Sequence, residues 1–300
     1  MRIVYAFRGA RFYPDPGREG ELPLGEARGA FLRKVKEIGF DALELAVPQA
    51  GEAEARELRR VLEDAGLPCA SVRGGGPSLH PRDLAGNRER MEVAIRAASW
   101  LGAPVVNASI GMPRPSYARG ALSWGEADSW GSSRDATEAD FERAGAAFAA
   151  VAPRAADHGV AIAIEVHQHC LVDNSWSALH LLERVNHPAV GLNPDLGNVY
   201  WTYPVPEESS EQAIVAMAPR AKYWHLKNLR RTYVPGQEFA LFHQTPVPDG
   251  EIDYRFAVSA MRAAGYAGDF AIEGLRLGDA ISGDARGAAY VRELIRELER

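Results

Sequence analysis

The chain has 300 residues, 46% hydrophobic, 25% charged and 9% aromatic, enough to bury a core without a staple. Thirty-four Lys and Arg against 40 Asp and Glu give a formal net charge of −6, without the basic surplus expected of a nucleic-acid binder. Cys69 and Cys170 form no CxxC pair, which excludes a disulfide framework and points to a reducing compartment. The first apolar run, 3–7, is too short for a signal sequence. No run approaches the roughly 18 apolar residues of a membrane span. The expected location is the cytoplasm.

Short apolar runs rich in β-branched residues recur at 3–7, 42–46, 69–73, 105–109, 161–166, 190–194, 223–227 and 270–273. Such runs fit parallel strands covered by helices on both faces. Amphipathic stretches between them, such as 30–38, 54–65, 88–101, 140–158 and 254–264, predict helices. Several end in a glycine just past the last turn: Gly39, Gly66, Gly102, Gly159 and Gly265. The alternation predicts a single-domain (β/α)8 TIM barrel over 1–300. An open doubly wound sheet fits less well, because Arg8-Gly9-Ala10-Arg11-Phe12 is no GxGxxG turn. Two long loops leave strands four and seven: 110–137, with Trp124 and Trp130, and 229–250, with Arg230, Arg231, Tyr233, Phe239 and Phe242. Their aromatics and their place at C-terminal strand ends predict lids.

Polar residues end four late strands: Glu165 in Ile164-Glu-Val-His167, Asp195 in Asn193-Pro-Asp-Leu-Gly-Asn198, His225 in His225-Leu-Lys-Asn228, and Glu273 in Ala271-Ile-Glu-Gly274. Strand alternation makes Glu165 share a face with His167, Asn193 with Asp195, and His225 with Lys227. Any one of them alone would serve as a rim ion pair or a satisfied core group. Together they bring three carboxylates and an imidazole to one barrel mouth, where only a cation relieves the repulsion. The donor set suits Mn²⁺, Mg²⁺, Co²⁺, Fe²⁺ or Zn²⁺.

In order and spacing these motifs resemble the xylose-isomerase-like sugar isomerase/epimerase barrels, which include ketose 3-epimerases and hydroxypyruvate isomerases. The resemblance is strongest from about residue 160 onward. It implies one divalent metal, Mn²⁺ first among the candidates, on Glu165, Asp195, His225 and Glu273. It also implies a ketose or related keto-sugar substrate, with Glu165 and Glu273 moving a proton through a metal-stabilised enediolate. By analogy alone, homo-oligomers are common in such a family.

The substrate-binding set read beside it is His167, Asn198, Lys227, Arg231, Glu44 and Asn107. Asn198 stands where ketose 3-epimerases commonly carry a His; an amide donates a hydrogen bond but cannot shuttle a proton near neutral pH. Arg231 follows His225 by six residues and suits a hydroxyl, carboxylate or phosphate. Lys227 is placed to stabilise a developing enolate. Glu44 faces the interior, to orient substrate or to pair with an arginine such as Arg73. His169 and His243 receive no role. The three-zinc DNA-repair endonucleases of the same superfamily need further histidines where this chain has Arg73–Gly75, Asn107, Asn198 and Asp249-Gly-Glu251. No nucleic acid or membrane partner is therefore expected. The second reading is a metal-dependent lyase on the same four ligands, either 3-dehydroshikimate-dehydratase-like or eliminating from a 3-keto-glycoside. A sugar-binding module without catalysis is set apart by its lack of bound metal.

Overall fold

The computed structural model describes residues 1–6, 11–12, 15–16, 22–23, 25–48, 51–112, 132–168, 170–203, 205–237, 239–273 and 278–298. Eight parallel strands form the barrel: β1 Ile3–Ala6, β2 Ala42–Ala46, β3 Cys69–Arg73, β4 Val105–Ala108, β5 Ala161–Glu165, β6 Val190–Asn193, β7 His225–Leu226 and β8 Phe270–Glu273. Their order is β6-β5-β4-β3-β2-β1-β8-β7. Between β6 and β7 the ring closes through one parallel bridge, Leu192 to Ala221, with the Lys222 N–H donating to the Leu192 carbonyl at 2.8 Å. The helices are α1 Gly25–Glu37, α2 Glu52–Asp64, α3 Asn87–Leu101, α4 Glu138–Asp157, α5 Ser175–Val185, α6 Leu196–Trp201, α7 Ser210–Met217, α8 Tyr254–Ala263 and α9 Ala280–Leu298. The expected (β/α)8 barrel is thus the observed fold. Among the described residues no helix is long and apolar enough to cross a membrane.

Period-two alternation sorts the strand residues into two cores. Val4, Ala6, Ala42, Ala70, Val105, Ala163, Tyr223 and Ala271 form a buried cluster of their own. The residues between them, such as Ile3, Leu43, Val106, Ile162, Leu192 and Phe270, join the larger core under the helices. An eight-stranded interior is only wide enough for side chains to fill it, so the inner set is mostly alanine with Tyr223 as its one large member. Toward the C-terminal strand ends the buried positions turn polar: Glu44, Asn107, Glu165, Asn193, His225 and Glu273.

The glycines expected past helix ends all have positive φ, from 66° at Gly159 to 106° at Gly39, as left-handed helix stops require. The strand expected at 223–227 pairs only over His225–Leu226. Its neighbour β6 ends at Asn193, and Pro194 has no N–H for a ladder. The segment expected as a loop over 229–250 is mostly a hairpin of Asn228–Val234 with Phe239–Thr245, followed by a 3₁₀ turn at Val247–Asp249. Gly236, at φ 83°, lies in its turn. His243 pairs with Arg230 in this ladder. Residues 113–131, which include Trp124 and Trp130, lie outside the described residues, as does His169.

Candidate metal centre

Four connections deliver four donors. Glu165 and Glu273 are the last residues of β5 and β8, and His225 is the first of β7. Asp195 follows β6 and caps α6: its Oδ1 accepts the Asn198 N–H at 3.1 Å, an arrangement that leaves Oδ2 outside the helix. One donor atom from each of the four lies within 4.8 Å of the others, and all four side chains are buried. Nδ1 of His225 is 3.4 Å from Glu165 Oε1, 3.4 Å from Glu273 Oε1 and 3.8 Å from Asp195 Oδ2.

Two buried atoms of this group, His225 Nδ1 and Asp195 Oδ2, make no hydrogen bond, although the Lys227 ammonium stands 3.2 Å from that oxygen. Burial alone would lower the His225 imidazole; the charges of Glu44 and Glu165 outweigh it and hold the ring well above its ordinary value. Burial likewise works to raise Glu165, and His225 overrides it to keep that carboxyl well below the usual range. Asp195 is pushed up by burial and by its two glutamate neighbours, against the pull of Lys227. The imidazolium thus supplies positive charge at the point where three carboxylates converge. A divalent cation fits the same place, with Nδ1 and three carboxylate oxygens as its donors.

An amide web holds these side chains. Asn107 Nδ2 donates to Glu165 Oε2 at 2.9 Å, and Asn198 Nδ2 donates to Glu165 Oε1 at 3.1 Å. Asn198 Oδ1 accepts from Lys227 Nζ at 2.7 Å and from Trp201 Nε1 at 3.2 Å. Lys227 Nζ also donates to Glu273 Oε2 at 2.6 Å and lies 5.1 Å from the Trp201 ring centre. Asn193 Nδ2 donates to Asn107 Oδ1 at 3.0 Å, while its Oδ1 accepts the His225 N–H at 2.7 Å. On the far side of the imidazole, Glu44 Oε2 is 3.0 Å from Nε2, and Arg73 Nε is 4.0 Å from Glu44 Oε1. Glu44, Asn107, Asn198 and Lys227 are therefore gathered around the four donors.

The remaining two candidates stand farther out. His167 is half-buried, with Nδ1 2.9 Å from the Gln168 carbonyl, and its charge helps hold Glu165 low. Arg231 is on the hairpin, 5.8 Å from the Tyr200 ring and 6.0 Å from the Tyr233 ring, with its N–H on Glu251. Sequence reasoning missed Tyr254, whose hydroxyl accepts the Lys227 N–H at 3.0 Å and donates to the Lys227 carbonyl at 2.8 Å. That contact spans 27 residues and leaves no local signal. Trp201, the i+3 neighbour of Asn198, was missed as well, because the six residues of its helix are too few to show a helical period.

A search of curated protein sequences found no match. Solved structures share the fold. A xylose isomerase-like TIM barrel protein from Mycobacterium smegmatis, in complex with magnesium, superposes with TM-score 0.75 at 21% identity, covering 98% of this chain and 95% of its own. An L-ribulose 3-epimerase gives 0.71 at 18%, covering 93% and 94%. The probable 3-DHS dehydratase AsbF from Bacillus anthracis gives 0.69 at 16%, covering 97% and 99%. Identities this low speak for architecture alone. The sequence itself carries the stronger tie: residues 32–298 match the family model described as xylose isomerase-like TIM barrel, and the chain belongs to that family.

Proposed function

We propose that this chain is a divalent-metal-dependent isomerase or epimerase of a ketose or related keto-sugar, with Glu165 and Glu273 as its acid–base pair and Mn²⁺ as its cation. The observation that supports this most directly is the pair of buried glutamates on β5 and β8, each with an oxygen 3.4 Å from the same unpartnered nitrogen of His225. When bound there, a divalent cation supplies Lewis-acid stabilisation for the charge that develops on a carbonyl oxygen as the neighbouring carbon loses its proton. The chain's own residues do the rest. Asn107 and Asn198 each hold one oxygen of Glu165, which fixes the plane of its carboxylate. Lys227 holds Glu273 from the other side, and its ammonium stabilises that carboxylate when it is charged. One glutamate takes the proton from carbon and the other returns it from the opposite face. His167 and Arg231, both half-buried, are the side chains proposed to contact sugar oxygens.

Asn198 favours one alternative, β-elimination after the same proton removal. Its side chain is committed to Glu165, Val166, Trp201 and Lys227, in the place where 3-epimerases commonly carry a His. AsbF, whose fold this chain shares, is a probable dehydratase. Incubating the protein with Mn²⁺ and a panel of ketoses, keto-acids and 3-keto-glycosides in deuterated water separates the two. Deuterium beside the carbonyl marks an isomerase or epimerase; release of water or an aglycone marks a lyase. Glu165→Gln and Glu273→Gln should each lower either reaction about 10²–10⁴-fold. Parent-like turnover in Glu273→Gln would sink the paired-glutamate mechanism.

A further inference from the structure

We infer that Glu44 is a positioning residue of the metal centre, holding the His225 ring so that Nδ1 presents its lone pair to the cation. A neutral imidazole can offer a lone pair from one nitrogen only if the other carries the proton. Nδ1 faces Glu165, Asp195 and Glu273, so the proton belongs on Nε2 and needs an acceptor there. Glu44 Oε2, at 3.0 Å, is that acceptor. Asn107 Nδ2 is 3.4 Å from the same Nε2, but it is a donor, and it already serves Glu165 at 2.9 Å. The rest of the ring's surroundings leave it little freedom. Asn193 Oδ1 accepts the main-chain N–H of His225, the Tyr223 ring stands edge-on at 5.5 Å, and His225 and Glu44 are both 0% exposed.

Glu44 approaches from β2, separated from β8 by β1 alone, and reaches the side of the imidazole away from the donors. It is therefore no fifth ligand. A carboxylate behind a ligating histidine fixes the ring's tautomer and orientation and raises its basicity. This inference rests on the four donors holding a cation and is independent of the reaction run there.

The test is isothermal titration of Mn²⁺ into chelator-stripped parent and Glu44→Gln, with folding checked by circular dichroism. Glu44→Gln should bind Mn²⁺ about 10–100-fold more weakly, and the visible absorption band of its Co²⁺ complex should shift. Mn²⁺ affinity within about twofold of the parent, or weaker binding with an unchanged Co²⁺ band, would overturn the inference. Should Glu44→Gln fail to fold, Glu44→Asp is judged by the same two readouts. A parent that takes up no Mn²⁺ would instead remove the metal site itself, a separate failure.

Discussion

Asp173 shows how the fold spends stability at a single residue. It is 1% exposed, its Oδ2 accepts from the Ser133 N–H at 3.1 Å and the Tyr203 hydroxyl at 3.0 Å, and its Oδ1 has no partner. Burial outweighs those bonds and pushes its carboxyl up to about 6. A carboxyl titrating there when folded and near 3.9 when unfolded binds its proton more tightly in the native state, so stability falls as pH rises through that window. The cost at neutral pH is about 3 kcal/mol. Asp173→Asn should flatten this dependence, measured as urea midpoints at pH 4.5 and 7; a slope equal to the parent's would show that the carboxyl titrates normally. Lys227 is the contrasting case, where Glu273, Asp195 and Asn198 surround one buried ammonium.

Among the elements, α6 has the most direct bearing on the site despite spanning only Leu196–Trp201. Its N-cap is Asp195, one of the four candidate donors, and its Asn198 and Trp201 reach Lys227. The close approach depends on Gly197, where an added Cβ would meet the Lys227 carbonyl oxygen at 2.8 Å and the Lys227 Cβ at 2.9 Å. Gly197→Ala should therefore cost about 1–3 kcal/mol in denaturant unfolding and weaken Mn²⁺ binding with it. Parent-like values for both would mean that α6 moves away without consequence. The strands and longer helices were legible because their period-two and 3.6-residue patterns run for several residues. Helix α6 is too short to show periodicity, so Asp195 read only as a polar strand end. The hairpin was equally hidden, because its Arg, Thr and Tyr alternation resembles a polar loop. The four donors were legible as side chains that interrupt apolar runs. The roles of Asn193, Asn198 and Tyr254 were not, since hydrogen-bond partners 27 to 86 residues away are fixed by barrel closure alone.

For the whole molecule, the formal charge of −6 is unevenly placed, with Glu44, Glu165, Asp195 and Glu273 all buried at one end of the barrel. His225 and Lys227 offset part of that charge, and a cation that binds only the folded state adds stability by mass action. Mn²⁺ at about 100 times its Kd should add ~2.7 kcal/mol of stability. Thermal melts with Mn²⁺ and with excess chelator check this; coincident melts would count against a site formed by folding.

The barrel's closure takes on a different meaning in this light. Seven of its neighbouring strand pairs are joined by ladders, whereas β6 meets the segment leading into β7 at one bridge, Leu192 to Ala221, and the Asn193 side chain accepts the main-chain N–H of His225 beyond it. In hydrogen-bond terms the molecule is an open eight-stranded sheet rolled up until its two edges meet. Asp195 lies just beyond one edge and His225 on the other. A ligand that draws those two together is a clasp across the seam: it turns a rolled sheet into a hoop, and any looseness in the hoop is felt first at the clasp.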